Sequence, residues 1–261
     1  MFDDIRAYSK FASLIRREDR FGQSPEAKLF IDEFRSQLEH RAAVIQNGHV
    51  FFRTANAYEE IDDFENGRYD IRPCGEGRML PQPIYALEGR VNPSGIVVLY
   101  MATSMKTAIS EIRPWIDDTI SVVRIEITRE MKLVDLSKLH SHHGSLSMEG
   151  LMARFSDRVL PIEKINDIVW AEIDHAFSRP ITRSETGAEY APTQILAGAV
   201  RVAGFDGVAY KSSFGGENGY NVAIFGTDDV RLISGHLYQV KDIEFKAEES
   251  GNPWFRSQKS P

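Results

Sequence analysis

The chain has 261 residues, 31 Lys and Arg against 38 Asp and Glu, a net charge of -7, one Cys, 19 Gly and 11 Pro. Its 42% apolar content, with 15 Phe, 9 Tyr and 3 Trp, supplies a packed core and excludes a disordered chain. The lone Cys74 excludes a disulfide scaffold and any zinc site built on several thiolates, and the negative balance speaks against general nucleic-acid binding.

The first ten residues, MFDDIRAYSK, lack the basic start and apolar stretch of a secretion signal. No apolar run reaches the roughly 18 residues that cross a bilayer. A cytoplasmic location without membrane association is therefore expected. Phe2, Ile5, Tyr8, Ala12 and Ile15 recur at helical spacing. A second helix is signalled by Ser24 as N-cap and Pro25 at the first helical position, with Ala27, Phe30, Phe34, Leu38 and Ile45 on one face and a stop at Asn47-Gly48. Residues 1–47 thus read as a helical extension, a cap or a dimerisation arm. His49 to Arg53 reads as a strand. A long irregular stretch from Tyr58 to Asn92 exceeds ordinary loop length and suggests a functional loop. Ile96 to Ala102 is a buried strand, followed by a short helix capped by Thr103 or Ser104 and stopped before Pro114. Val123 to Ile127 alternates as a half-exposed strand, and Met131 to Leu136 is another. Helices are expected over 163–178 and 192–202. Strands are expected over 207–212 and 220–225 around a Gly-rich turn, and near Tyr238 to Phe245. A domain over 48–248 and a polar tail over 249–261 complete the division. Strands and helices mix without strict alternation, which favours α+β, and neither a dinucleotide-binding glycine fingerprint nor a P-loop is present.

Three places could carry chemistry. Arg53, amid apolar strand residues, either pairs with an anion, which its planar fork suits, or is exposed or carboxylate-paired. Arg90 lies in a Gly/Pro-rich segment before the strand that carries Tyr100, and Glu111 sits two turns into the next helix. Tyr100 can stack on a flat ring and Glu111 can oppose a developing positive charge; the plain alternatives are a core aromatic, a solvated glutamate and a turn-capping arginine. Ser212 and Ser213 end a strand just before glycines that admit a ligand, or belong to an ordinary hairpin turn. The run His140-Ser141-His142-His143 has no acid or thiolate cluster to complete a metal site.

Taken in order, four pieces resemble the RES domain family, named for an Arg, a Glu and a Ser. They are FFRTA around Arg53, GRVNPSGIVVLYMATSMKTAISEIRP from Gly89, EYAPTQ from Glu189 and GFDGVAYKSSFGGENGYNVAIF from Gly204. The resemblance covers about residues 48 to 226. It implies an ADP-ribosyltransferase-like fold, a split mixed β-sheet with flanking helices, here carrying an N-terminal helical extension. It also implies a bacterial toxin that destroys NAD at the nicotinamide–ribose bond and is held by an antitoxin with a helix-turn-helix domain. It places the family arginine on Arg53, the glutamate on Glu111 and the serine on Ser212, with Ser213 one position away. The arginine of the Gly-Arg motif falls on Arg90 and the strand-closing tyrosine on Tyr100.

NAD is then the substrate, with no cofactor and no metal. Nicotinamide leaves a pyridinium as a neutral molecule and needs no general acid, so one carboxylate suffices to oppose an oxocarbenium-like sugar. Arg53 and Arg90 would face the pyrophosphate, Tyr100 the nicotinamide or its ribose, and Ser212 the carboxamide or ribose. The acceptor is left open between water, inorganic phosphate and a macromolecule; the last would make the chain an ADP-ribosyltransferase. A catalytically silent nucleotide- or protein-binding module is the other alternative, and the N-terminal helices could join a second copy of the chain.

Overall fold

In a computed structural model, residues 1–63, 68–156, 158–180, 187–216 and 218–244 are described. The expected tail over 249–261 lies outside them. Helix α1 (Ala7–Arg17) buries Tyr8, Phe11, Ala12 and Ile15, the three-to-four spacing read in the sequence. Helix α2 (Pro25–Ser36) starts where Ser24 accepts from the N–H of Ala27, one of the donors a helix start leaves unpaired. It ends earlier than expected. A short 3-10 turn (Leu38–Arg41) follows, and Ile45 belongs to strand β1 (Ala42–Ile45), not to the helix face.

The remaining elements are β2 (Val50–Ala55), β3 (Glu59–Asp63), β4 (Arg68–Arg72), α3 (Glu76–Met79), β5 (Leu99–Ala102), α4 (Met105–Ile112), β6 (Thr119–Ile127) and β7 (Met131–Leu136). Then come α5 (His143–Phe155), α6 (Ile162–Ser178), α7 (Ala191–Val202), β8 (Gly207–Lys211), β9 (Tyr220–Ile224) and β10 (Val230–Gln239). The irregular stretch 58–92 contains the β3–β4 hairpin. Helix α5 was legible only as a Ser/His/Gly-rich segment. Its buried positions, Leu146, Gly150 and Ala153, keep helical spacing, but two of the three are small. The last strand lies earlier than expected. Ser234, Gly235 and His236 interrupt its apolar pattern, and its register shifts between Leu232 and Ser234.

The eight-stranded sheet runs β1-β7-β8-β9-β5-β2-β6-β10 and is mixed, with β7 and β8 parallel and the other pairs antiparallel. It is also split. β2 pairs with β6 over six residues and β5 with β9 over four, yet β2 and β5 meet at the single pair Phe52–Ala102. The α+β architecture with a split mixed sheet and flanking helices is the one expected.

One face of the sheet carries α1, α2, α6 and α7. Phe11, Phe30, Phe34 and Leu38 share a core with Trp170, Ile173, Phe177, Leu196 and Val208. On the other side, Phe51, Val123 and Ile125 of one half-sheet pack with Leu99, Leu133 and Ile224 of the other. The N-terminal helices therefore complete the main core. Trp170 Nε1 donates to Gln37 Oε1 at 2.8 Å, and Arg41 pairs with Asp174 at 2.7 Å while its guanidinium lies 4.0 Å over the Trp170 ring. Both partners of that pair are buried, so removing either strands a charge.

Two expectations follow. Phe34 is wholly buried, so Phe34→Ala should destabilise the fold by about 3–5 kcal/mol in chemical denaturation. Glu172, on α6, has a buried Oε2 without a partner among the described residues; burial, then the negative charge of Asp4, raises its pKa from 4.5 to about 7. The folded chain then holds this proton to about 7 while the unfolded chain releases it near 4.5, so stability falls as pH rises through that interval. Glu172→Gln should remove that part of the slope in thermal melts across the same range.

Candidate active site

Where β2 and β5 diverge, a cleft of about 350 Å³ opens, lined by Arg53, Arg90, Tyr100, Glu111, Tyr190, Tyr210 and Asn221 among others. Four of the six residues nominated from sequence line it: Arg53, Arg90, Tyr100 and Glu111. Ser212 reaches it through Glu111, and Ser213 turns elsewhere.

Arg53 is half-buried on β2, and its Nη1 donates to the carbonyl of Tyr100 at 2.8 Å. The guanidinium thus stands in the opening between the strands. Burial, then the like charge of Arg78, lowers its pKa to about 10, so it stays cationic at neutral pH. Its described hydrogen-bond partner is a neutral carbonyl, and no ion pair joins it to a carboxylate among the described residues.

Glu111 projects from the last turn of α4. Ser104 starts that helix, accepting from the N–H of Thr107 at 3.1 Å, and Arg113 ends it with φ of 47° just before Pro114. Glu111 Oε1 accepts from Ser212 Oγ and from Asn221 Nδ2, each at 2.6 Å. Oε2 has no partner among the described residues, and the side chain is open to the cleft. Ser212 is buried; its Oγ accepts from the N–H groups of Phe214 at 3.1 Å and Gly215 at 3.0 Å. Those two bonds direct its own proton at Glu111. The turn that supplies them needs glycine, because a Cβ on Gly215 would stand 2.6 Å from Thr107 Oγ1 and 2.7 Å from Gly219 Cα.

Tyr100 divides its side chain between two jobs. Its ring lines the cleft, while its hydroxyl donates to Asn92 Oδ1 at 2.7 Å and accepts from Val91 N–H at 3.0 Å. Burial raises its pKa well above the usual tyrosine value, so it remains a neutral phenol. The EYAPTQ piece holds the same loop from the other side. Gln194 Nε2 donates to Gly89 O at 2.9 Å and Asn92 O at 3.1 Å, and Thr193 Oγ1 donates to Arg90 O at 2.8 Å.

Arg90 and Ser213 cap the end of α6. Arg90 donates through Nη1 to the carbonyl of Phe177 and through Nη2 to that of Arg179 at 2.7 Å; Ser213 Oγ donates to Ser178 O at 2.7 Å. A helix C-terminus leaves these carbonyls unpaired and carries partial negative charge, which a guanidinium suits. Arg90 also lies 5.4 Å over the Tyr210 ring. Two buried atoms of cleft residues, Arg90 Nε and Thr54 Oγ1, lack a partner among the described residues.

Sequence inspection missed Asn221 and Tyr190. Asn221 is the buried polar residue in an otherwise apolar strand, and that mismatch is the signal that could have found it. Elsewhere, His143 stacks on His175 with ring centroids 4.0 Å apart, away from the cleft, and Cys74 is buried. No helix among the described residues is long and apolar enough to cross a membrane.

An α+β protein with a splayed sheet and a polar, aromatic-walled cleft at the splay is the class that fold and site define. The RES domain model matches residues 75–245, and the chain belongs to that family. Among solved structures, a chain from the crystal structure of the M. tuberculosis MbcT–MbcA toxin–antitoxin complex is similar. It shows 13% identity and a TM-score of 0.40, over 80% of this chain and 94% of that chain. No curated protein matches the sequence.

The two serines are separable. Ser213→Ala should cost about 1 kcal/mol of stability in denaturant melts, through the lost bond to α6, and leave the Glu111 clamp intact.

Proposed function

We propose that this chain is an NAD-consuming enzyme that breaks the nicotinamide–ribose bond, and that it acts as the toxin of a toxin–antitoxin pair. The observation that carries the reading is the Glu111 carboxylate, fixed on Oε1 by Ser212 and Asn221 and open on Oε2, in one cleft with the Arg53 guanidinium and the rings of Tyr100, Tyr190 and Tyr210.

The chemistry needs each part. Nicotinamide departs with the electron pair of the C–N bond, and C1′ of the ribose is left as an oxocarbenium-like centre. The free oxygen of Glu111 opposes that charge and accepts from the ribose hydroxyls. Because Oε1 is already bonded, the carboxylate cannot swing away, and little reorganisation is left for the moment of reaction. Arg53 offsets the charge of the phosphate on that ribose in a protein of net charge -7. The tyrosine rings bound the space for the planar nicotinamide. Ser212 and Asn221 are positioning residues in this scheme, and Arg90 contributes by holding the end of α6 at the cleft wall.

Water or inorganic phosphate then adds to C1′ through oxygen and releases a proton to solvent. An acceptor on a macromolecule would use the same first step. NAD enters as substrate, and no metal or cofactor has a part in the scheme. A helix-turn-helix antitoxin as partner belongs to the same reading and rests on family membership.

Purified protein mixed with NAD, with and without phosphate, should release nicotinamide, followed by chromatography. Glu111→Gln should lower kcat about a hundredfold or more while NAD affinity by calorimetry changes little. Ser212→Ala, which frees the carboxylate without removing it, should lower kcat about ten- to a hundredfold. Full turnover by Glu111→Gln would remove the carboxylate from the mechanism.

A further inference from the structure

A second cavity, of about 530 Å³, adjoins the cleft, and Arg53 and Tyr100 line both. Its walls come from the segment between β4 and β5, including Arg78, Leu80, Gln82, Tyr85 and Leu87. That segment was expected to be a functional loop on length alone. Each cavity is of the size that holds a small ligand, and together they form a two-chambered site with a shared cationic partition.

The partition carries uncompensated positive charge. The Arg78 side chain is exposed at the second cavity and its guanidinium has neither an ion pair nor a hydrogen bond among the described residues. It is near enough to Arg53 for its charge to disfavour the Arg53 cation. Two guanidiniums facing one junction repel unless an anion lies between them. Glu88, the acidic residue of this cavity, is already bonded: its Oε1 accepts from Gln194 Nε2 at 3.0 Å and lies 3.5 Å from Arg20. A diphosphate presents two negative groups joined by one oxygen, and it matches two cations at such a junction. Beyond the junction, Leu80 and Leu87 provide apolar wall and Tyr85 a flat ring, chemistry that suits a purine.

We propose that the second cavity is the adenosine-diphosphate subsite, with Arg53 and Arg78 sharing the two phosphates and Tyr85 bounding the adenine. The inference rests on the NAD-cleaving reading of the first cleft and extends it. It makes the enzyme selective for the dinucleotide over nicotinamide mononucleotide, which contains the same scissile bond and a single phosphate but nothing to fill the second chamber.

The test compares NAD and nicotinamide mononucleotide as substrates for the wild type, Arg78→Ala and Tyr85→Ala. The wild type should show kcat/KM for NAD at least about a hundredfold above that for the mononucleotide. Each variant should lose at least about tenfold of that preference, through KM for NAD. Equal efficiency on both substrates, or an unchanged preference in both variants, overturns the subsite while leaving the cleavage reading standing. Should neither substrate be cleaved, calorimetric titration of ADP decides. Binding that is weakened in Arg78→Ala and Tyr85→Ala but kept in Glu111→Gln upholds the subsite without the glycosidic chemistry. No ADP binding by the wild type ends it.

Discussion

Between β2 and β5 the backbone ladder closes at one residue pair, and the strands then part. Parting leaves strand groups without their usual partners, and the Arg53 guanidinium enters the gap to bond the Tyr100 carbonyl. A cation held among apolar strands is costly, and a neutral carbonyl offsets only part of that cost. The remainder is what an anionic ligand can relieve. The same opening sets Glu111 on one side of the cleft and the Tyr100 ring on another. The binding chemistry of this protein is thus a consequence of where its sheet fails to close.

The polar residues around the opening divide into those that face the cavity and those that hold the first group still. Glu111 faces it; Ser212 and Asn221 hold Glu111, and two backbone N–H groups hold Ser212. Tyr100 faces it with its ring; Asn92, Gln194 and Thr193 hold the loop that its hydroxyl grips. Such nesting reduces the reorganisation demanded when charge develops on a substrate. It also explains why the four pieces that resemble the family are scattered along the chain. Each supplies one member of a hydrogen-bonded set whose other members lie 47 to 110 residues away.

Local signals were legible where local physics dominates. Ser24-Pro25 starts α2 and Ser104 starts α4 because capping is settled within four residues. The apolar run into β5 and the alternation of β6 are settled by burial on one or both faces. Strand β1 was hidden, because Ala42 to Ile45 is four residues at a sheet edge continuing the apolar spacing of α2. The bulge in β10 and the small residues of α5 weakened their periodicities in the same way. At the site, sequence nominated Ser212 and Ser213 together. The difference between them is which way each hydroxyl leaves the turn, and that depends on Gly215 crossing Gly219, not on the serines themselves. Arg90 was nominated for its charge; the charge is used first on the carbonyls that end α6. Arg78 had no neighbouring pattern at all, and only its proximity to Arg53 makes it notable.

The N-terminal helices supply no side chain to the cleft, yet the cleft wall leans on them. Phe34, Gln37 and Arg41 meet α6 at Trp170 and Asp174, with a tilted ring contact, a hydrogen bond and a buried ion pair on successive turns. The last carbonyls of α6 are the ones that Arg90 and Ser213 grip. Ser213 is covalently next to Ser212, which aims Glu111. A shift of α6 would therefore reach the carboxylate through two consecutive backbone units and one hydrogen bond. Interiors packed at crystal density transmit such shifts instead of absorbing them. The helices before β1 are then a structural condition of the site's geometry, whatever else they bind on their outer face.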